Sequence, residues 1–80
     1  MTWYFFDTRD DDEMIIDEVG VEVADLEAVK KMAARGLAEL ALDVLPGSTE
    51  RVLGIDVRDE QSAPVLSAEL TFKAKILGAY

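Results

Sequence analysis

The sequence predicts an α+β domain of ββαββ form: a four-stranded antiparallel sheet with one helix packed on one face. Three observations predict it. Residues 2–8 and 14–17, and again 51–58 and 65–75, are β-rich or alternating stretches set on either side of a turn. Residues 26–45 instead repeat their apolar positions at the helix period. The chain has 80 residues, 50% of them apolar, which allows a single small domain over residues 1–80.

Thr2-Trp3-Tyr4-Phe5-Phe6-Asp7-Thr8 is aromatic and suits a pleated, half-buried surface, so it is the first strand. Asp10-Asp11-Asp12-Glu13 is a turn, because aspartate side chains bond nearby amides and tolerate unusual dihedrals. Met14-Ile15-Ile16-Asp17 closes a hairpin as the second strand. Gly20 breaks the chain, and Val21-Glu22-Val23 is an extended lead into the helix.

Asp25 is the N-cap, and Glu27 adds charge that complements the helix dipole. Leu26, Val29, Met32/Ala33, Leu37, Leu40, Ala41 and Val44 form the apolar stripe, with Leu40 mid-helix on it and Leu42 off it. Glu27–Lys31 and Arg35–Glu39 are opposite charges four apart on the outer face. Pro46-Gly47 ends the helix at about Leu45. In the third strand Leu53, Ile55 and Val57 face inward, while Val52, Gly54, Asp56 and Arg58 face outward. Residues 59–64 form a loop. In the fourth strand Leu66, Ala68, Leu70 and Phe72 face inward, and Ser67, Glu69, Thr71 and Lys73 outward. Strand directions give the order 2-1-3-4, the alternative being a third strand beside the second.

A short pattern recurs. Phe6-Asp7-Thr8-Arg9-Asp10 and Ile55-Asp56-Val57-Arg58-Asp59 both read apolar-Asp-x-Arg-Asp. Convergence on a strand with a solvated face and an acidic turn is one reading; duplication of a hairpin is the other.

Net charge is −9 and sits almost entirely in the first third of the chain. Residues 1–25 hold Asp7, Asp10, Asp11, Asp12, Glu13, Asp17, Glu18, Glu22 and Asp25 against Arg9 alone. That field repels nucleic-acid phosphate and anionic membrane surfaces, and steers in a basic protein. No apolar run reaches the ~20 residues of a membrane span. The opening Met1-Thr2-Trp3-Tyr4 is aromatic rather than basic, so the expected location is cytoplasmic.

Tyr4-Phe5-Phe6-Asp7, followed by Asp17-Glu18-Val19-Gly20-Val21-Glu22 and Asp25-Leu26-Glu27-Ala28, resembles a family of small uncharacterised alphaproteobacterial proteins. Its second hairpin is similar to Ile55-Asp56-Val57-Arg58-Asp59-Glu60 with Pro64-Val65-Leu66. The resemblance spans nearly the whole chain. It departs at Asp11, where the family more usually has a turn glycine, and at Lys30-Lys31, where it tends to Ala-Arg. The family is a domain of unknown function, so it implies no catalytic residue. The Asp-Leu-Glu-Ala opening of the helix is more loosely similar to HicB antitoxin domains, in which a small sheet and helix pair with a small RNase toxin.

With no cysteine and no histidine, thiolate chemistry and the commonest general base and metal ligand are missing. The run Asp10–Glu13 lacks the alternate ligands, glycine and distant glutamate of a calcium loop. Ser48, Ser62 and Ser67 have no histidine to activate them, and Gly47 and Gly54 belong to no phosphate-binding motif. The expectation is a non-enzymatic chain without metal or cofactor. The informative surface is the open sheet face, where Trp3, Phe5, Val52, Gly54 and Arg58 are the interface candidates. Gly54 there leaves a hollow for a ring. Two large aromatics on an open face point to an interface core. The plainer reading is that Asp7, Arg9, Arg58 and Lys73 drape over the rings. The expected function is a small acidic interaction module that forms a homodimer through this face. The alternative is an antitoxin-like or regulatory partner of a small basic protein.

Overall fold

A computed structural model describes residues 1–78. The described residues form strands β1 (Thr2–Asp10), β2 (Glu13–Ile15), β3 (Val21–Val23), β4 (Glu50–Arg58) and β5 (Pro64–Lys73). Between β3 and β4 lie helix α1 (Leu26–Val44) and a 3-10 turn at Leu45–Gly47. Every pairing is antiparallel. The sheet runs β2-β1-β4-β5, and β3 also pairs with β1.

The α+β class with one helix holds, and the two hairpins adjoin through β1 and β4. The expected four strands become five. Val21–Val23 is not merely a lead into the helix: Thr2, Trp3 and Tyr4 pair with Val23, Glu22 and Val21. β2 takes the other end of β1, at Thr8–Asp10. Three residues are too few to show a period, which is why β3 has no signature of its own.

Register sets the two faces. Phe6 lies opposite Val57 and Thr8 opposite Ile55, while Val57, Ile55 and Leu53 lie opposite Leu66, Ala68 and Leu70. These side chains share the face that α1 covers. The core is Tyr4, Val23, Val29, Ala33, Leu37, Leu53, Ile55 and Val57. From the helix, only the four-spaced set Val29, Ala33 and Leu37 is buried. Leu40 packs against this core but is only half-buried, so it is not the central helix position that its place on the stripe implied.

Local chemistry places the ends. Asp25 is extended, and its Oδ1 accepts from the Ala28 amide at 2.9 Å. The Leu45 amide still bonds the Ala41 carbonyl, but Pro46 has no amide to continue the series. The helix therefore stops at Val44 rather than Leu45. Asp11, in the β1–β2 turn, has φ +52°, the left-handed region that favours glycine. A glycine would adopt this conformation without strain. Here aspartate serves, and its Oδ1 also accepts from the Val52 amide at 2.9 Å.

Candidate functional site

Trp3, Phe5, Val52, Gly54 and Arg58 do share the open face, together with Asp7, Arg9, Asp56, Ser67 and Glu69, as the register requires. The face is nonetheless a charged surface rather than an apolar one. Asp7 lies directly opposite Asp56. Two facing carboxylates repel, and each is met by the arginine two residues along the other strand. Arg9 donates to Asp56, Nε to Oδ2 at 2.6 Å and Nη2 to Oδ1 at 3.3 Å, and reaches Glu69 at 3.2 Å. Arg58 donates to Asp7, Nε to Oδ2 at 2.9 Å. The recurring apolar-Asp-x-Arg-Asp pattern is thus a reciprocal pair of diagonal bridges across β1 and β4.

Arg9 also explains Gly54. A Cβ at Gly54 would run into the Arg9 guanidinium, with Nη1 at 2.9 Å. The hollow over the glycine expected to hold an aromatic ring is filled by this planar cation.

Phe5 is enclosed from two sides. The Arg58 guanidinium lies over its ring, 4.7 Å from the centroid. Gly20 packs beneath, with φ +75°, and a Cβ there would stand 2.7 Å from Phe5 Cε2. Both the conformation and the contact demand glycine. Asp17 ties this corner together. Its carboxylate accepts from the amides of Phe6, Val19 and Gly20, each at 3.0 Å. Its own amide donates to Asp7 Oδ1 at 2.9 Å, and its carbonyl accepts from Arg58 Nη2 at 2.8 Å. Phe6 sits between the segments of β1 that pair with β3 and with β2, so Asp17 supplies the acceptor that neither strand gives it. The Tyr-Phe-Phe-Asp and Asp-Glu-x-Gly segments are therefore two halves of one clasp, closed by Arg58.

Burial works against the charge of Asp17, but the amides of Phe6, Gly20 and Val19 outweigh it and hold the carboxyl below its usual range. The Asp56 carboxyl is also held low, first by the Arg9 hydrogen bond. Both groups bind protons more weakly folded than unfolded. Their contribution to stability is complete above the ordinary value of 3.8 and is lost as pH falls through the lower folded value. Asp17→Asn removes the charge at every pH and turns an N–H donor toward the amides. In urea titrations, the gap between wild type and Asp17→Asn should be constant above about pH 5 and should narrow at lower pH. A gap that persists unchanged to pH 2 would contradict the role given to the Asp17 charge.

Among the interface candidates, Phe5, Gly54 and Arg58 are committed to intramolecular contacts. Trp3 is 42% exposed, and Val52 is half-buried. Asp17 and Gly20, which the open-face reading passed over, organise the surface together with Arg9, which the plainer reading places there. The two Asp-x-Arg spacings were the available sequence signal for it.

A second feature lies on the helix side. An open apolar groove of ≈ 590 Å³ runs between α1 and β5. Ala41, Leu42, Leu45 and Pro46 line one wall and Leu70 and Phe72 the other. Leu42, at its rim, is 77% exposed. Among the described residues, no three His, Cys, Asp or Glu side chains are grouped to hold a metal ion. No helix there is long and apolar enough to cross a membrane.

No curated protein and no solved structure matches the chain. One family model does, that of a domain of unknown function, DUF6894, over residues 3–71, a span that takes in both halves of the clasp and all of the groove's lining but Phe72. The chain belongs to the DUF6894 family.

Proposed function

We propose that this chain is a small acidic, non-enzymatic interaction module that self-associates. One observation carries the reading. The accessible surface is 5775 Å², against about 4,800 Å² for a compact monomer of this mass. The excess of about 1,000 Å² is of the size one partner contributes to a standard interface, ~800 Å². The shape agrees: the radius of gyration is 14.8 Å, against about 12 Å for a compact 80-residue domain. A single small core nets only a few kcal/mol, so burying that surface against a second copy adds stability the monomer lacks.

The non-enzymatic part rests on how the carboxylates are used. Asp7, Asp10, Asp17 and Asp56 are each taken up by an arginine or by backbone amides. The open face, with Trp3 at one end, is one surface for association; the groove between α1 and β5 is the more apolar.

A partner of basic character is the second reading. The exposed acids Asp11, Asp12, Glu13, Glu18, Glu22 and Asp25 favour it. An antitoxin-like role would be of this kind. Light scattering on the purified chain over a range of concentrations separates the two. A mass rising from 8.8 kDa to twice that value is the expected result. A mass that stays at 8.8 kDa to the highest concentration would sink self-association and leave the basic partner.

A further inference from the structure

We infer that the groove between α1 and β5 is a self-docking site, and that Ile76 and Leu77 of a second copy of this chain occupy it. This rests on the self-association proposed above and says where it happens. Among the described residues, β5, ten residues long, pairs only with β4. Its other edge is a row of backbone groups with no strand beside it, and such an edge is a template for another copy. The apolar side chains of that strand, Leu66, Leu70 and Phe72, are only half-buried. Past β5, the Ala74 amide donates to the Thr49 carbonyl at 2.8 Å, one step beyond the last strand pair. Ile76 and Leu77 follow and are 76% and 91% exposed.

Geometry sends these two side chains to a neighbour rather than home. The Ala74–Thr49 bond extends the line of β5 past Phe72, and the high exposure of Ile76 and Leu77 leaves them unpacked against their own groove. A two-fold axis near Lys73 that sets the ends of two β5 edges antiparallel lays each segment beside Leu70 and Phe72 of the other copy, where the other groove lies. Charge selects the same end of the molecule. Residues 46–80 hold Glu50, Asp56, Asp59, Glu60 and Glu69 against Arg51, Arg58, Lys73 and Lys75, which nearly balance. Almost all of the net −9 belongs to the N-terminal third, so two copies repel least when they meet through β5 and hold those ends apart.

The test is sedimentation equilibrium of the wild-type chain and of variants at exposed sites, with circular dichroism to check that each is folded. Leu42→Glu spoils the groove and leaves the tail; Ile76→Asp with Leu77→Asp spoils the tail and leaves the groove. Each should weaken self-association by about tenfold or more. Leu42→Lys, which reduces the net negative charge, should weaken it as much, so the loss is not repulsion. An equimolar mixture of Leu42→Glu with the tail variant should regain association, because one intact groove meets one intact tail. A wild type that associates while both variants associate as tightly would overturn the groove and leave the proposed function standing. So would a mixture no tighter than its components, or dissociation by Trp3→Ala instead. A wild type that remains monomeric would overturn both.

Discussion

Arg58→Ala lowers the free energy of unfolding by about 3 kcal/mol, the lower end of what breaking a buried ion pair costs. Arg58 closes the clasp from three directions: it pairs with Asp7, bonds the Asp17 carbonyl and covers Phe5. Asp7 is 8% exposed, so its carboxylate would keep the Asp17 amide but lose its counter-ion in a place water reaches poorly. Arg58→Lys restores the charge without the planar fork or the stacking, and should recover only part of the loss. Asp7→Ala combined with Arg58→Ala should cost less than the two separately, because the second change no longer strands a charge. Urea titrations of the four chains measure this. A loss under about 1 kcal/mol for Arg58→Ala would mean that the pair behaves as an ordinary surface bridge.

Leu53→Ala is the other large effect. Leu53 is fully buried on β4, with β1 on one side and β5 on the other. Truncation there removes about 2–5 kcal/mol through lost burial and the cavity left behind. A core this small nets about 3–5 kcal/mol, so the variant should be largely unfolded at room temperature. At concentrations low enough to keep the chain monomeric, Leu42→Ala, at a site 77% exposed, should change stability by less than about 0.5 kcal/mol. Leu40→Ala falls between them. Thermal melts by circular dichroism rank the three. Equal losses at Leu42 and Leu53 would show that the helix side of the sheet is assigned to the wrong residues.

Periodicity carried most of the fold. The helix stripe, the inward sets on β4 and β5, and the sharing of one face by Trp3, Phe5, Val52 and Gly54 follow from spacings of 3.6 and 2. What lacked a period did not show. β3 is three residues long, and its pairing depends on where β1 is already held. The clasp joins Asp7 to a residue 51 positions away and Asp17 to the middle of β1. No local pattern encodes such contacts. The Asp-x-Arg repeat lay in plain view. Its meaning needs the register that sets Asp7 against Asp56, since only then does each arginine fall diagonally on the opposite acid. The hollow expected at Gly54 is filled by Arg9, and Arg58 covers Phe5 as the plainer reading of the open face expects. The groove had a partial signal. Leu42 stands off the helix stripe, but nothing in the sequence says that it overlooks Leu70 and Phe72.

The most direct measurement of self-association through β5 is amide hydrogen exchange of the unmodified chain at low and at high concentration. Protection should rise with concentration across residues 70–77 and along the α1 wall of the groove, and should stay unchanged at residues 3–9. Exchange that does not depend on concentration, or a change confined to residues 3–9, would contradict it.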